Sequence, residues 1–116
     1  MIQHVAIEVR EQDVEACVRF WELLGFARVP APPALAERST WVQAGTTQIH
    51  LLHADDPVVA PQGHVAVVVA DFDATLAALR EAGHEPAQRT QYWGSPRAFV
   101  RSPAGDRVEL MAFGPS

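Results

Sequence analysis

Apolar and polar residues alternate at the start of the chain. Val5, Ile7 and Val9 fall on one side and His4, Ala6 and Glu8 on the other, so residues 2–10 read as a half-buried strand. The period then lengthens. Val14, Cys17, Val18, Trp21 and Leu24 recur at helical spacing, with Asp13 placed to cap the start and Gly25 to end it. This predicts a helix from about 13 to 24. Phe26–Val29 reads as a second strand, and Pro30, Pro32 and Pro33 force a loop. Strands near 38–44 and 46–53 meet at a turn containing Gly45. Ala54–Gly63, with two prolines and the adjacent Asp55 and Asp56, reads as a linker.

The pattern then begins again. A strand over 64–70 leads to a helix over 71–82 with Asp71 as cap, and a strand near 84–88 follows. After a loop at Arg89–Ser95, strands near 97–102 and 106–113 are joined by Pro103-Ala104-Gly105-Asp106. Each copy is β-α-β-β-β. The expectation is an α+β fold in one domain spanning 1–116: a first module of about 1–53, the linker 54–63, and a second module of about 64–113. Helices should cover one face of each curved sheet, and the other faces should form a cup.

The duplication carries chemistry. His4 and His64 open the first strand of each copy, and His50 and Glu109 lie on the last, 46 and 45 residues further on. Alternation puts Val5, Ile7 and Val9, like Val65, Val67 and Val69, beneath the helices. The four polar residues then face the cup. Imidazole nitrogens and a carboxylate suit a first-row divalent ion, and a site with positions left open acts as a Lewis acid. Zn, Ni, Mn, Co and Fe all fit. His4, His64 and Glu109 are the expected ligands. His50 is either a fourth ligand or an acid–base group, and Glu109 is the first candidate for a catalytic base. Taken singly, a strand histidine is more often structural than a ligand; the matched placement in both copies is what raises these four. His53 has the wrong parity for the cup, and His84 lies at a helix-to-strand turn, so both read as structural or exposed. Glu8 shares the facing of His4 but lies roughly 13 Å further along, too far for a shared ion. Tyr92 and Trp93 are candidates to line a substrate pocket, or else belong to a surface loop. Arg107, roughly 7 Å from Glu109 on the same face, could meet an anionic substrate or stand as a solvated rim residue.

Composition narrows the class. The 116 residues are 48% hydrophobic, enough for a packed core. The net charge is −5, and the few basic residues are scattered, which argues against a nucleic-acid surface. No apolar run reaches the roughly 20 residues of a membrane span, and no signal peptide is visible, so the expectation is a soluble cytoplasmic protein. The single cysteine, Cys17, lies in a helical apolar stripe and reads as core.

Paired β-α-β-β-β modules with His opening strands one and five and an acid closing strand eight resemble the vicinal oxygen chelate superfamily. Its members include glyoxalase I, extradiol dioxygenases, fosfomycin-resistance transferases and bleomycin-resistance proteins. The resemblance spans essentially the whole chain. The tail Ala98-Phe99-Val100-Arg101-Ser102-Pro103-Ala104-Gly105-Asp106-Arg107-Val108-Glu109-Leu110 is similar to the family's strand–Asp-Pro-x-Gly-Asn–strand ending, with Ser102 and Asp106 as departures. The resemblance implies His4, His64 and Glu109 as metal ligands. His50 stands where glyoxalase I has a ligand Glu, and Phe99 where extradiol dioxygenases have a Tyr. The Trp93-Gly94 pair is similar to one in bleomycin-resistance proteins. The implied function is a metal-dependent, glyoxalase-like enzyme of lyase or isomerase type acting on a small oxygenated metabolite. The alternatives are a sequestering protein of the bleomycin-resistance type or a dioxygenase-like oxidoreductase. A homodimer is expected, because each sheet has edges to cover.

Overall fold

Period-2 segments become strands, and the two stretches of helical period become helices. The computed structural model covers residues 1–116. Its elements are β1 (His4–Val9), α1 (Val14–Leu23), β2 (Ala27–Val29), β3 (Ser39–Ala44) and β4 (Thr47–His53), then β5 (Val65–Val68), α2 (Phe72–Glu81), β6 (Ala87–Gln88), β7 (Arg97–Arg101) and β8 (Arg107–Met111). Each sheet has four strands, in the order β1-β4-β3-β2 and β5-β8-β7-β6. In both, the first strand pairs in parallel with the last, and the other neighbours are antiparallel. The chain divides into two compact units, Met1–Val59 and Ala60–Ser116. The boundary falls inside the segment read as a linker.

The core follows the alternation. In the first unit α1 buries Val14, Cys17, Val18, Phe20 and Trp21, and the sheet contributes Val9, Val42, Ile49 and Leu51. Trp21 meets Phe20 and Phe26 edge to face, at 5.6 and 5.2 Å between centroids, the offset that aromatic quadrupoles favour. In the second unit α2 buries Phe72, Leu76 and Leu79, and the sheet contributes Ala98, Val100, Val108 and Leu110. Cys17 is buried, as its place in the stripe requires. No helix is long and apolar enough to cross a membrane.

The two helix starts differ. Asp71 is extended and its carboxylate accepts the Ala74 N–H at 3.0 Å, a true cap. Asp13 makes no such bond, because the chain enters α1 through a 3₁₀ turn over Glu11–Asp13, which already holds Asp13 in helical geometry. Both helices end at a glycine with positive φ, Gly25 at 95° and Gly83 at 94°. The start of the linker is tied back to β1: Ala54 donates to the Val9 carbonyl and the Val58 N–H to Glu8 Oε1. Glu8 therefore anchors chain. His53 also serves structure, bonded to Thr40 Oγ1 at 2.9 Å and to the Glu37 carbonyl.

The cap difference gives a paired prediction. Asp71→Ala should cost about 1 kcal/mol in denaturant unfolding, and Asp13→Ala distinctly less. Asp106 gives a second one. Burial pushes its carboxyl above the usual carboxylate range, against the hydrogen bond from Ser102. The native state then holds that proton more tightly than the unfolded chain, so this group's contribution to stability falls as pH rises through the carboxylate range. Thermal melts of Asp106→Asn across acidic pH should show that part of the dependence removed.

Candidate functional site

Parallel pairing of first and last strands sets residues 43 or 44 apart side by side. In the first unit Ala6 lies opposite His50 and His4 opposite Gln48; in the second, Ala66 lies opposite Glu109. The neighbouring strand adds an aromatic ring at the same place in each copy, Trp41 opposite His50 and Phe99 opposite Glu109. Each module thus assembles its own half of the predicted set.

In the second module His64 Nε2 stands 3.0 Å from Glu109 Oε1, and Arg97 Nη1 stands 3.2 Å from the other oxygen, Oε2. Glu109 is 8% exposed, so its charge needs these partners. His64 Nδ1 lies 2.9 Å from the Gln62 carbonyl. A carbonyl only accepts, so Nδ1 carries a proton and donates. In the neutral ring Nε2 then holds a lone pair, and it faces a carboxylate oxygen at hydrogen-bond distance. Two acceptors at that distance require a cation between them, either a proton on Nε2 or a metal ion. A backbone carbonyl on the remote imidazole nitrogen is the usual outer support of a ligating histidine. This donor pair fits a divalent ion.

In the first module three rings stack. His50 lies between Trp41, at 3.9 Å and 2° interplanar, and His4, at 4.0 Å and 13°. Nitrogen lone pairs lie in their ring planes, and a bound ion sits roughly 2 Å from the nitrogen. Two nearly parallel rings 4.0 Å apart direct their lone pairs past one another, so in this stack His4 and His50 do not share an ion. His4 Nδ1 is held by Gln3 Oε1 at 2.6 Å, which leaves its Nε2 for a ligand.

The tautomer of His50 is fixed by a relay. Gln43 Nε2 donates to the Gly45 carbonyl, Gln48 Nε2 donates to Gln43 Oε1 at 2.7 Å, and His50 Nε2 meets Gln48 Oε1 at 2.8 Å. The carbonyl at the end sets the direction of every bond, so Nε2 of His50 bears the proton and Nδ1 the lone pair. Burial first, and then the neighbouring His4, push the His50 pKa down, which favours the neutral ring.

The remaining candidates divide. Trp93 donates its ring N–H to the Phe113 carbonyl at 2.7 Å, and the buried Ser95 Oγ accepts the Ala112 and Phe113 N–H groups. The Arg89–Ser95 loop is thereby fastened to the chain's tail, and Trp93 is its fastener. Tyr92 is exposed, with Arg97 5.1 Å from its ring centre. Arg107 stands 3.8 Å from the Phe99 ring centre. Sequence reading passed over Trp41, Gln48 and Arg97. Facing could have found them, since each lies two residues from, or directly across from, a residue already on the same face. Within neither module does a third His, Cys, Asp or Glu join the pair as a metal-holding group.

Known proteins bear on this arrangement. Solved structures share the fold: a glyoxalase family protein from Bacillus anthracis is similar at 26% identity and TM-score 0.84, covering 96% of this chain and 93% of its own. A lactoylglutathione lyase from Agrobacterium tumefaciens matches at 19% identity and TM-score 0.72, over 96% and 92%. TnmS3, an antibiotic binding protein from a Streptomyces species, matches at 22% and 0.74, over 100% and 96%. No curated protein matches the sequence. The profile of the Glyoxalase/Bleomycin resistance protein/Dioxygenase superfamily matches residues 1–110, and the chain belongs to that superfamily.

Proposed function

We propose that the protein is a metal-dependent, glyoxalase-like enzyme of lyase or isomerase type, acting on a small oxygenated metabolite. The observation that carries this reading is the His64–Glu109 pair, whose Nε2 and Oε1 face each other at 3.0 Å while Nδ1 is committed to a carbonyl. Its ligands are His64 and Glu109 with His4, drawn from the matched positions of the duplicated sequence. The ion is one of Zn, Ni, Mn, Co or Fe; when bound, it would stabilise negative charge developing on substrate oxygen.

The chain's own residues supply the rest. Arg97 holds Glu109 Oε2 and so orients the carboxylate with Oε1 forward. Glu109 is the first candidate to take a proton from a substrate C–H or a water. His50 is the second, through Nδ1, since its Nε2–H is fixed by Gln48. Trp41 and His4 hold the His50 ring from both faces.

A second reading, a small-molecule-binding protein without turnover, draws support from Arg97. Its guanidinium already balances Glu109, and a proton on His64 would complete the pair without an ion. Elemental analysis of untagged protein separates the two. The enzyme reading expects a stoichiometric divalent ion. Replacing His64 by Ala should then weaken it by more than the roughly 10- to 100-fold that an outer-shell loss costs. Metal-free protein of full ligand affinity would favour the second reading.

Roles can be told apart by paired variants. Glu109→Gln should keep much of the ion and lose most of the turnover, and full turnover would exclude Glu109 as base. His50→Gln should keep the metal and lose rate; lost metal would make His50 a ligand. The assembly proposed is a homodimer, supported by the open edges that β1 and β5 present in their sheets. Sedimentation showing only monomer at micromolar concentration would count against it.

A further inference from the structure

The basic residues look scattered in the sequence, but the second module gathers three of them. Arg89, Arg101 and Arg107 line one cleft of about 680 Å³, together with Phe99, His84 and Glu85. That volume lies within the roughly 300–1,000 Å³ of small-molecule sites. Arg101 and Arg107 are direct cross-strand partners on β7 and β8, and Phe99 and Glu109 are the next pair on the same face.

Phe99 is the platform for two of these cations. The Arg107 guanidinium lies 3.8 Å from its ring centre and that of Arg89 5.8 Å. Such contacts fix the direction of a guanidinium while leaving its N–H groups unspent. Carboxylates do not consume them: the ion pairs of the chain use Arg28 and Arg97, and neither Arg89, Arg101 nor Arg107. Arg101 gives Nη1 to the Gly105 carbonyl and keeps its remaining donors. Three guanidiniums thus share a cleft with one carboxylate, Glu85, in a chain whose net charge is −5. Like charges held together without a counterion repel, and planar guanidinium forks match the oxygens of carboxylate and phosphate.

We propose that this cleft binds the oxyanion group, phosphate or carboxylate, of a small metabolite. A long polyanion is disfavoured, because the cleft is local and the rest of the chain is acidic. Arg107 lies two residues from Glu109 on one face, roughly 7 Å along the strand, so a group held there places the body of the molecule toward Glu109. That this molecule is also the substrate rests on the enzyme reading above; the binding itself does not.

The test is calorimetric titration of the protein as purified, with inorganic phosphate, phenyl phosphate and benzoate as probes at matched ionic strength, and benzyl alcohol as neutral control. Metal content is measured on the same samples, so failure of the metal reading shows separately. At least one oxyanion should bind at millimolar concentration or below, and the neutral control should not. Phosphate binding alone or benzoate binding alone each supports the site and identifies the group. Arg107→Gln and Arg89→Gln should each weaken binding about tenfold, and Phe99→Leu should weaken it with no change of charge. Arg80→Gln, on α2 and outside the cleft, should leave it unchanged. Absence of binding by all the oxyanions, or undiminished binding in folded Arg89→Gln and Arg107→Gln proteins, overturns the proposal. If one arginine variant fails to fold, the other and Phe99→Leu decide it.

Discussion

Parallel pairing of the first and last strand of each module is the constraint on which the site depends. It joins residues that are 43 or 44 apart in sequence, and it can be made only through the intervening helix and hairpin. A one-residue slip of β8 against β5 would send Glu109 into the core and Val108 onto the open face. Burial of Ile49 and Leu51 in one sheet, and of Val108 and Leu110 in the other, prevents that slip. The apolar half of each last strand therefore positions the polar half.

The two copies put this frame to different electrostatic use. The first surrounds His50 with the Trp41 ring, His4 and two glutamines, and the result is an imidazole of fixed tautomer. The second surrounds Glu109 with cationic groups, Arg97 and, one strand pair along, Arg107. Arg97 and Glu109 are each about a tenth exposed, so neither charge could be left alone at that depth without a cost of several kcal/mol. One half holds a ring of fixed tautomer, and the other holds a carboxylate balanced by cationic partners.

Much of this was legible in the sequence. The strand and helix order followed from alternation and helical stripes, and the parity rule put His4, His50, His64 and Glu109 on the faces where they lie. What escaped was of two kinds. Asp13 looked like Asp71, but capping depends on the backbone angle at the cap, which the 3₁₀ turn changes. Arg97, Trp41 and Gln48 carry no signature of their own; facing alone puts them on the open rows, but what each one touches depends on strand register and side-chain reach. The arginine cleft is of this second kind, since residues 89, 101 and 107 come together through three separate strands and loops.

The split between buried and open rows has an evolutionary consequence. The residues that secure the fold and those that carry the chemistry occupy alternate positions of the same strands, so they can drift independently. An open-face row can exchange amides for arginines, as Gln48 and Arg107 do at corresponding places, without disturbing a single core contact. Such a scaffold keeps its shape while its identity falls. That is the condition under which a lactoylglutathione lyase and an antibiotic binding protein can both overlay on this chain at TM-scores above 0.7 with about a fifth of their residues in common.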